Sequence, residues 1–147
     1  MKVMIVGYRS DVRIITTKKG YNELKKYTDK YLNDKKWDYG NLLDEVTINE
    51  ETRYAKYLGW NNIKWYQYSD YEDVNAIMNG LDYLKENNFS YRYARIGENY
   101  DDYEESYFES ELEDEQDLEY PSMERYFDDD YVIHNLNEQD KDDNLEV

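Results

Sequence analysis

The chain has 147 residues, of which 35 are acidic and 18 basic, and its formal net charge is −17. Its length suits one domain with a core large enough to fold unaided. The absence of cysteine excludes disulfides, thiolate metal sites and a cysteine nucleophile. No stretch approaches the roughly 20 apolar residues of a membrane-spanning helix, and no secretory signal is visible, so a cytoplasmic protein is expected.

The first part of the chain predicts a strand followed by a helix. Val12–Thr17 is β-branched and alternates in polarity, which is typical of a strand. Residues 18–33 repeat apolar or aromatic side chains every three or four positions with lysines between them, which predicts an amphipathic helix. Another strand is expected near Val46–Ile48.

The next segment predicts a β-hairpin. Thr52–Leu58 and Ile63–Tyr68 have the composition of strands. The intervening Gly59–Trp60–Asn61–Asn62 is expected to form the turn, because glycine and asparagine tolerate positive φ.

A second helix and a further strand follow. Ser69–Asp70–Tyr71–Glu72 is a capping box, in which a serine hydroxyl and a glutamate carboxylate each accept a backbone N–H at a helix start. The helix ends at Asn87–Asn88, and Phe89–Ile96 then predicts a strand stopped by Gly97. The apolar stripe of this helix consists of Val74, Ile77, Met78, Leu81 and Leu84.

The order strand, helix, strands, helix, strand is that of the split βαβ pattern. The expected fold class is therefore α+β, ferredoxin-like, with two helices on one face of an antiparallel sheet and the other face open. A slip of one residue would exchange the two faces, so the sequence does not fix which set of alternate residues is open. The candidates for the open face are Tyr54, Lys56, Tyr66, Tyr68, Tyr91 and Tyr93.

Almost all of the net charge lies in the last third of the chain. Residues 1–99 carry 16 basic and 15 acidic residues, whereas residues 100–147 carry 2 basic and 20 acidic residues. We therefore divide the chain into an α+β domain, residues 1–99, and an acidic tyrosine-rich segment, residues 100–147. The segment is expected to pack partly on the domain, because purely solvating tails contain few aromatic residues. Its Tyr131–His134 predicts a short strand, and its end is expected to be frayed.

No catalytic, metal or cofactor site is expected. His134 is the only histidine, and the chain lacks a nucleophile elbow, a glycine-rich phosphate loop and a histidine-bearing metal motif. Ser90–Ile96 offers aromatic side chains and two arginines, as RNA-binding sheets do, but lacks the expected glycine-containing pattern. With so acidic a segment on the same chain, direct nucleic-acid binding is not expected, and neither is membrane binding.

The acidic segment predicts a nucleic-acid mimic that binds a basic protein surface. Asp101–Glu119 contains eleven acidic residues in nineteen. A helix would place one carboxylate per roughly 2.6 Å and an extended chain one per roughly 6 Å, against about 3.4 Å per phosphate along one DNA strand. The predicted phosphate substitutes are Asp101, Asp102, Glu104, Glu105, Glu109, Glu111, Glu113, Asp114, Glu115 and Asp117. The predicted apolar anchors are Tyr103, Tyr107 and Phe108.

Other interpretations remain open. The acidic segment could be a solubilising or autoinhibitory tail, and the protein an acidic accessory or regulatory factor without mimicry. Alternatively, the open sheet face around Tyr91, Arg92 and Arg95 could bind a small molecule such as a nucleotide, or mediate self-association.

Residues Tyr91–Glu105 add a resemblance. Together with Gly59–Trp60, Ile63–Tyr66 and Asp73–Met78, this stretch resembles a recurring one in small acidic proteins of phages and mobile elements of low-GC Gram-positive bacteria. The resemblance spans about residues 52–105 and carries no catalytic residues. It implies an inhibitor of host defence, of the anti-CRISPR or anti-restriction type. The implied partner is a basic nucleic-acid-binding protein of host defence, a CRISPR effector or a restriction enzyme, in the host bacterial cytoplasm.

Overall fold

The computed structural model describes residues 7–67, 69–112, 118–121 and 127–145. These residues form an α+β structure with a five-stranded antiparallel sheet and three α-helices, which confirms the expected fold class at that level. The strands are β1 (Ser10–Thr17), β2 (Ile48–Glu51), β3 (Ala55–Ile63), β4 (Tyr91–Gly97) and β5 (Tyr103–Phe108). The helices are α1 (Lys18–Asp34), α2 (Glu72–Glu86) and α3 (Asp129–Leu145). The strand order across the sheet is β2-β3-β1-β4-β5.

Helices α1 and α2 lie side by side on the first face of the sheet. The α1 helix starts where the Thr17 hydroxyl accepts a hydrogen bond from the Gly20 amide at 2.9 Å, and it confirms the helix predicted over residues 18–33. Both helices bury the apolar stripes that the sequence indicates. The resulting core joins Leu24, Val74, Ile77, Leu81 and Leu84 of the helices to Val12, Ile14, Leu58 and Tyr93 of the sheet.

The second face of the sheet is covered by the C-terminal segment, so the expected open face is wrong. Ile15 and Tyr57 pack with Val132 and Leu136 of α3. Farther along the sheet, Phe127 packs on Ala94 and Ile96. These strand residues are apolar and would otherwise be exposed, so their burial accounts for the docking of the segment.

The residues proposed for the open face do not form one. Tyr91 and Tyr93 face the two helices, because Tyr93 lies opposite Ile14 of the first-face core. The Lys56 ammonium lies 4.2 Å from the ring centroid of Tyr21, which is in α1. Tyr54 and Tyr66 lie outside the strands, and Tyr68 lies outside the described residues.

The predicted hairpin over residues 52–68 is also wrong. Strand β3 runs straight through Gly59, and its hairpin partner is β2. Gly59 is required for close packing and not for a turn: a Cβ there would lie 2.5 Å from both Cδ of Arg13 and the Val12 carbonyl oxygen. Of the four predicted turn residues, only Asn62, near the end of β3, has a positive φ, of 55°.

The helix predicted after Ser69 is present, but its capping box is not formed. The N-cap residue is Tyr71, and it makes no side-chain capping bond. The Ser69 hydroxyl accepts from the Tyr71 amide at 3.2 Å and donates to the Tyr66 carbonyl at 2.7 Å, so it stabilises the preceding turn. Glu72 is the first helical residue, two positions too early for the reciprocal bond, which needs a glutamate at the third helical position.

The strand predicted at Tyr131–His134 is part of helix α3. Val132 and Leu136 are four residues apart and therefore share one helical face, which is buried against the sheet. The short window around Val132 and Ile133 suggested a β-like run because it left Leu136 out of the pattern. His134 is exposed on this helix.

Candidate partner-binding surface

Strand β5 is an edge strand whose exposed side chains alternate between acids and tyrosines. Residues 101–111 are exposed and half-buried in strict alternation, as the two-residue period of a strand requires. We call the exposed set the acid–tyrosine stripe; it consists of Asp101, Tyr103, Glu105, Tyr107, Glu109 and Glu111. Because Tyr107 lies opposite Arg92, and Arg92 opposite Ile15, the stripe belongs to the second face of the sheet, beside the C-terminal segment.

Exposed aromatic and apolar side chains concentrate around this stripe. Among the described residues, seven large hydrophobic side chains are exposed, and five of them lie between residues 100 and 120. They are Tyr100, Tyr103, Tyr107, Leu112 and Tyr120. The ring of Tyr107, which is 61% exposed, stands edge-on to that of Tyr120 at a centroid distance of 5.8 Å. Clustered exposure of this kind marks interaction surfaces.

The half-buried acids of the same strand have partners inside the protein. Nη1 and Nη2 of Arg95 lie 3.0 and 2.8 Å from the two Asp102 carboxylate oxygens, and Nη2 lies 3.5 Å from Glu104. Burial opposes the charge of Arg95, but the bonds to Asp102 and the charge of Glu104 outweigh it and raise the pKa of Arg95. Asp102 also accepts a 2.5 Å hydrogen bond from Tyr8.

Glu104 is tied to the core as well. It accepts hydrogen bonds of 2.8 Å from the Tyr93 hydroxyl and from the Gln67 amide. Burial, together with the charge of Glu104, raises the pKa of Tyr93. Glu104 therefore helps to hold β5 against β4 and is turned away from the stripe.

A buried arginine fixes the far end of the stripe. Arg92 is 1% exposed, and its Nη1 donates to the carbonyls of Tyr91 and Phe108, each at 3.0 Å. Its Nη2 lies 3.7 Å from Glu109. Its guanidinium carbon lies 4.4 Å from the ring centroid of Tyr120 and 5.6 Å from that of Tyr107. Arg92 thus holds two exposed tyrosines and one carboxylate in place from below.

A second buried arginine attaches helix α3 to the sheet. Arg13 Nε and Nη2 lie 3.0 and 3.1 Å from the carboxylate oxygens of Asp129, the first residue of α3, and the Tyr57 hydroxyl donates to the same carboxylate. The Arg13 guanidinium also lies 4.6 Å from the ring centroid of Phe127. Burial acts to raise the pKa of Asp129, but the bonds from Arg13 and Tyr57 outweigh it and lower that pKa.

The structure divides the predicted site residues into three groups. The stripe contains Asp101, Tyr103, Glu105, Tyr107, Glu109 and Glu111. Asp102 and Glu104 bind Arg95, and Phe108 packs against the first-face core. Glu113, Asp114, Glu115 and Asp117 lie outside the described residues.

The extended conformation lowers the charge density of the stripe. Glu105 lies four residues from both Asp101 and Glu109, and four strand residues span about 13 Å. The denser spacing of a helix therefore does not apply to residues 103–108. Helix α3, on the same face of the sheet, adds carboxylates such as Asp130, which is exposed.

The sequence analysis did not single out Arg13, and it assigned Arg92 and Arg95 to a possible ligand-binding face, so it missed that all three arginines organise this surface from within. The alternation of residues 101–111 was the signal that could have found two of them. Once residues 103–108 are paired with residues 91–96, acids fall opposite Arg95 and beside Arg92. A buried arginine on a sheet needs such a partner.

One cleft of about 260 Å³ lies beside α2, below the usual 300–1,000 Å³ of ligand pockets. Its lining is mainly polar and consists of Tyr31, Gln67, Asn75, Met78, Asn79 and Asp82. Within the described ranges there is no cluster of acidic or histidine side chains that could hold a metal ion, and no described helix has the length and apolarity to cross a bilayer.

Comparison with known proteins yields no matching family model, curated protein or solved structure.

Proposed function

We propose that the protein is a phage-type inhibitor of a host nucleic-acid-targeting defence enzyme, of the anti-CRISPR or anti-restriction type. It acts by acidic mimicry, occupying the basic surface on which the enzyme holds DNA or RNA, and performs no chemistry. The observation that carries the proposal is the acid–tyrosine stripe, in which carboxylates and tyrosines alternate on one exposed edge of the sheet.

Charge supports this proposal at long range. Residues 100–147 have a net charge of −18, on a chain whose remainder is nearly neutral. Such a segment attracts basic surfaces and repels nucleic acid. A groove built for a polyanion releases its bound counterions when carboxylates replace phosphates, so binding is fast at low salt and weakens steeply as salt rises.

The fixed geometry of the stripe supports it at short range. Arg92 and Arg95 hold the ends of β5 through partly buried hydrogen bonds, so the stripe is ordered before a partner arrives. Preordered side chains lose less conformational entropy on binding. Tyr103 and Tyr107 lie between the carboxylates and offer aromatic surface of the kind that dominates binding energy at protein interfaces.

We further propose that β1 to β4, with α1 and α2, form a ferredoxin-like split βαβ unit. The order β2-β3-β1-β4 and the placement of both helices on the first face support this description. In this description β5 and α3 are additions that carry the acidic residues to one edge and to the second face.

The nucleotide-binding alternative lacks the surface that it requires. Tyr91, Arg92 and Arg95, the residues on which it depended, are each less than 8% exposed. An acidic accessory protein without mimicry remains the competing proposal, since it also uses charge and an exposed edge.

The test compares two variants that carry the same change in net charge. The stripe variant combines Asp101→Asn, Glu105→Gln and Glu111→Gln; the control variant combines Glu45→Gln, Glu50→Gln and Glu86→Gln, at exposed positions remote from the stripe in sequence. Each protein is assayed for inhibition of DNA cleavage against a panel of purified CRISPR effectors and restriction enzymes. We expect inhibition of at least one enzyme by the wild type and the control, and at least about tenfold weaker inhibition by the stripe variant.

Two outcomes would contradict the proposal. Equal potency of the stripe variant and the control would favour an accessory protein without mimicry. If the wild type inhibits no enzyme of either class, the proposal that its target is a defence enzyme is contradicted.

A further inference from the structure

The backbone of β5 is unpaired on its outer side within the described part of the chain. Strand β5 is the last strand in the sheet order and, among the residues that the structure describes, pairs only with β4. At the start of this pair, the Gly97 amide donates to the carbonyl of Asp102, which is opposite it, at 2.8 Å. Hydrogen-bonded and non-bonded pairs alternate along an antiparallel ladder. The even-numbered residues of β5 therefore bond to β4, and the odd-numbered ones direct their N–H and C=O groups outward.

The outward backbone groups belong to the same residues that form the stripe. Tyr103, Glu105 and Tyr107 present an amide, a carbonyl and an exposed side chain each. An extended peptide laid along this edge would meet donors, acceptors, one carboxylate and two aromatic rings in register.

We propose that this edge receives an extended basic segment of the partner protein as a sixth strand of the sheet. The inference rests on the proposed function, because it specifies the form in which a basic partner binds the stripe. Strand addition takes its affinity from main-chain hydrogen bonds and its specificity from alternate side chains. A segment with lysine or arginine at every second position places cations beside Glu105, where opposite charges on neighbouring strands attract.

Charge argues against a second copy of this chain as the occupant. An antiparallel pair of β5 strands centred on Glu105 would place two carboxylates directly opposite each other, and like charges in that position are destabilising. Two chains that each carry a charge of −17 also repel at long range.

The test uses two synthetic heptapeptides, both blocked at the ends, with lysine at alternate positions and threonine between. One has ordinary peptide bonds, and the other is N-methylated at every residue, so that it keeps its charge but has no backbone donor on either side. Affinity for the full-length protein is measured at low salt, with hydrogen exchange of individual amides. We expect the ordinary peptide to bind at least about tenfold more tightly, equivalent to about 1.4 kcal/mol, and to protect the amides of Tyr103, Glu105 and Tyr107.

A pair of variants tests the same edge from the side of the protein. Glu105→Gln removes the charge but keeps the amide, whereas Glu105→Pro also removes the outward amide, and an edge strand tolerates proline where the N–H faces solvent. We expect Glu105→Pro to bind the ordinary peptide at least about tenfold more weakly than Glu105→Gln does, with an unchanged far-ultraviolet circular dichroism spectrum. Amides of β2 at the opposite edge serve as the internal reference and should keep their exchange rates.

Three results would overturn the inference. Equal affinity for the two peptides would mean that charge alone binds them, which leaves the proposed function intact. If neither peptide binds, the inference that β5 receives a sixth strand is contradicted. The proposed function is tested separately by the enzyme inhibition assay. A dimer seen by sedimentation and abolished by Glu105→Pro would assign the edge to a second copy.

Discussion

Arg95 and Asp102 form a two-point ion pair across the turn between β4 and β5, with N–O distances of 3.0 and 2.8 Å. Arg95 is 7% exposed, and Asp102 is the closer of the two carboxylates that neutralise its buried charge, since Glu104 lies 3.5 Å away. Part of the acidic segment therefore stabilises the fold. The Asp102 carboxylate neutralises the Arg95 guanidinium, whereas its neighbour Asp101 remains exposed.

These two neighbouring aspartates give the first prediction. We expect Asp102→Asn to lower the free energy of unfolding by about 1–3 kcal/mol, because the buried Arg95 guanidinium loses its two-point carboxylate partner and keeps only the more distant Glu104. The matched control Asp101→Asn should change it by less than about 0.5 kcal/mol. Urea unfolding followed by circular dichroism measures both, and equal effects of the two variants would contradict the assignment of Asp102 to the fold.

Asp129 predicts a dependence of stability on pH. Its pKa is lowered in the folded protein, so the ionised carboxylate stabilises the fold above the pKa of the unfolded state, about 3.9, and this stabilisation is lost as pH falls through the lower folded value. We expect Asp129→Asn to be less stable than the wild type by about 2–3 kcal/mol at pH 7. The difference should shrink as the pH falls below 4.

Urea unfolding between pH 2 and pH 7 measures this difference, with the exposed neighbour change Asp130→Asn as the control. A gap between wild type and Asp129→Asn that stays constant over the whole pH range would show that the carboxylate charge is not what Arg13 and Tyr57 bind.

A substitution at Arg92 should make the tyrosines of the stripe less ordered. Arg92→Lys keeps a positive charge, but a lysine cannot donate to two carbonyls while stacking on Tyr120. We expect a loss of about 1–3 kcal/mol in unfolding free energy and altered chemical shifts of the Tyr107 and Tyr120 rings. Unchanged ring shifts in the NMR spectrum would mean that Arg92 supports stability only.

Gly59 distinguishes a packed strand from the predicted turn. In the structure a Cβ at this position would lie 2.5 Å from the Val12 carbonyl oxygen, which cannot move without disturbing β1. We therefore expect Gly59→Ala to destabilise the protein by about 2–4 kcal/mol. A loss below about 1 kcal/mol, or a gain of the kind that alanine gives where glycine is not required, would contradict this packing.

The elements that the sequence predicted are those with a complete local pattern. Helices α1 and α2 have apolar stripes over four turns, and β4 ends at a glycine, so each was found close to its observed bounds. Long-range pairing decided the rest. Gly59 resembles a turn residue until Arg13 is packed against it, and Val132 resembles a strand residue until Leu136 joins it on one face of α3.

The sequence predicted the residue types of the stripe but not which of their side chains are exposed. The sequence indicated which residues of 101–111 were acidic or aromatic, but their orientation follows from the register of β4 against β5. That register turns Asp102 and Glu104 towards Arg95 and leaves Glu105 exposed. A shift by one residue would have reversed these roles.

The salt dependence of binding to an inhibited enzyme tests the central claim most directly. Once the enzyme panel has yielded a target, the dissociation constants of the wild type, the stripe variant and the control variant are measured between low and high ionic strength. If the stripe replaces phosphates, affinity of the wild type and control should fall steeply with salt, and that of the stripe variant should fall less steeply. If the dissociation constants of all three proteins rise equally steeply with salt, acidic mimicry by the stripe is contradicted.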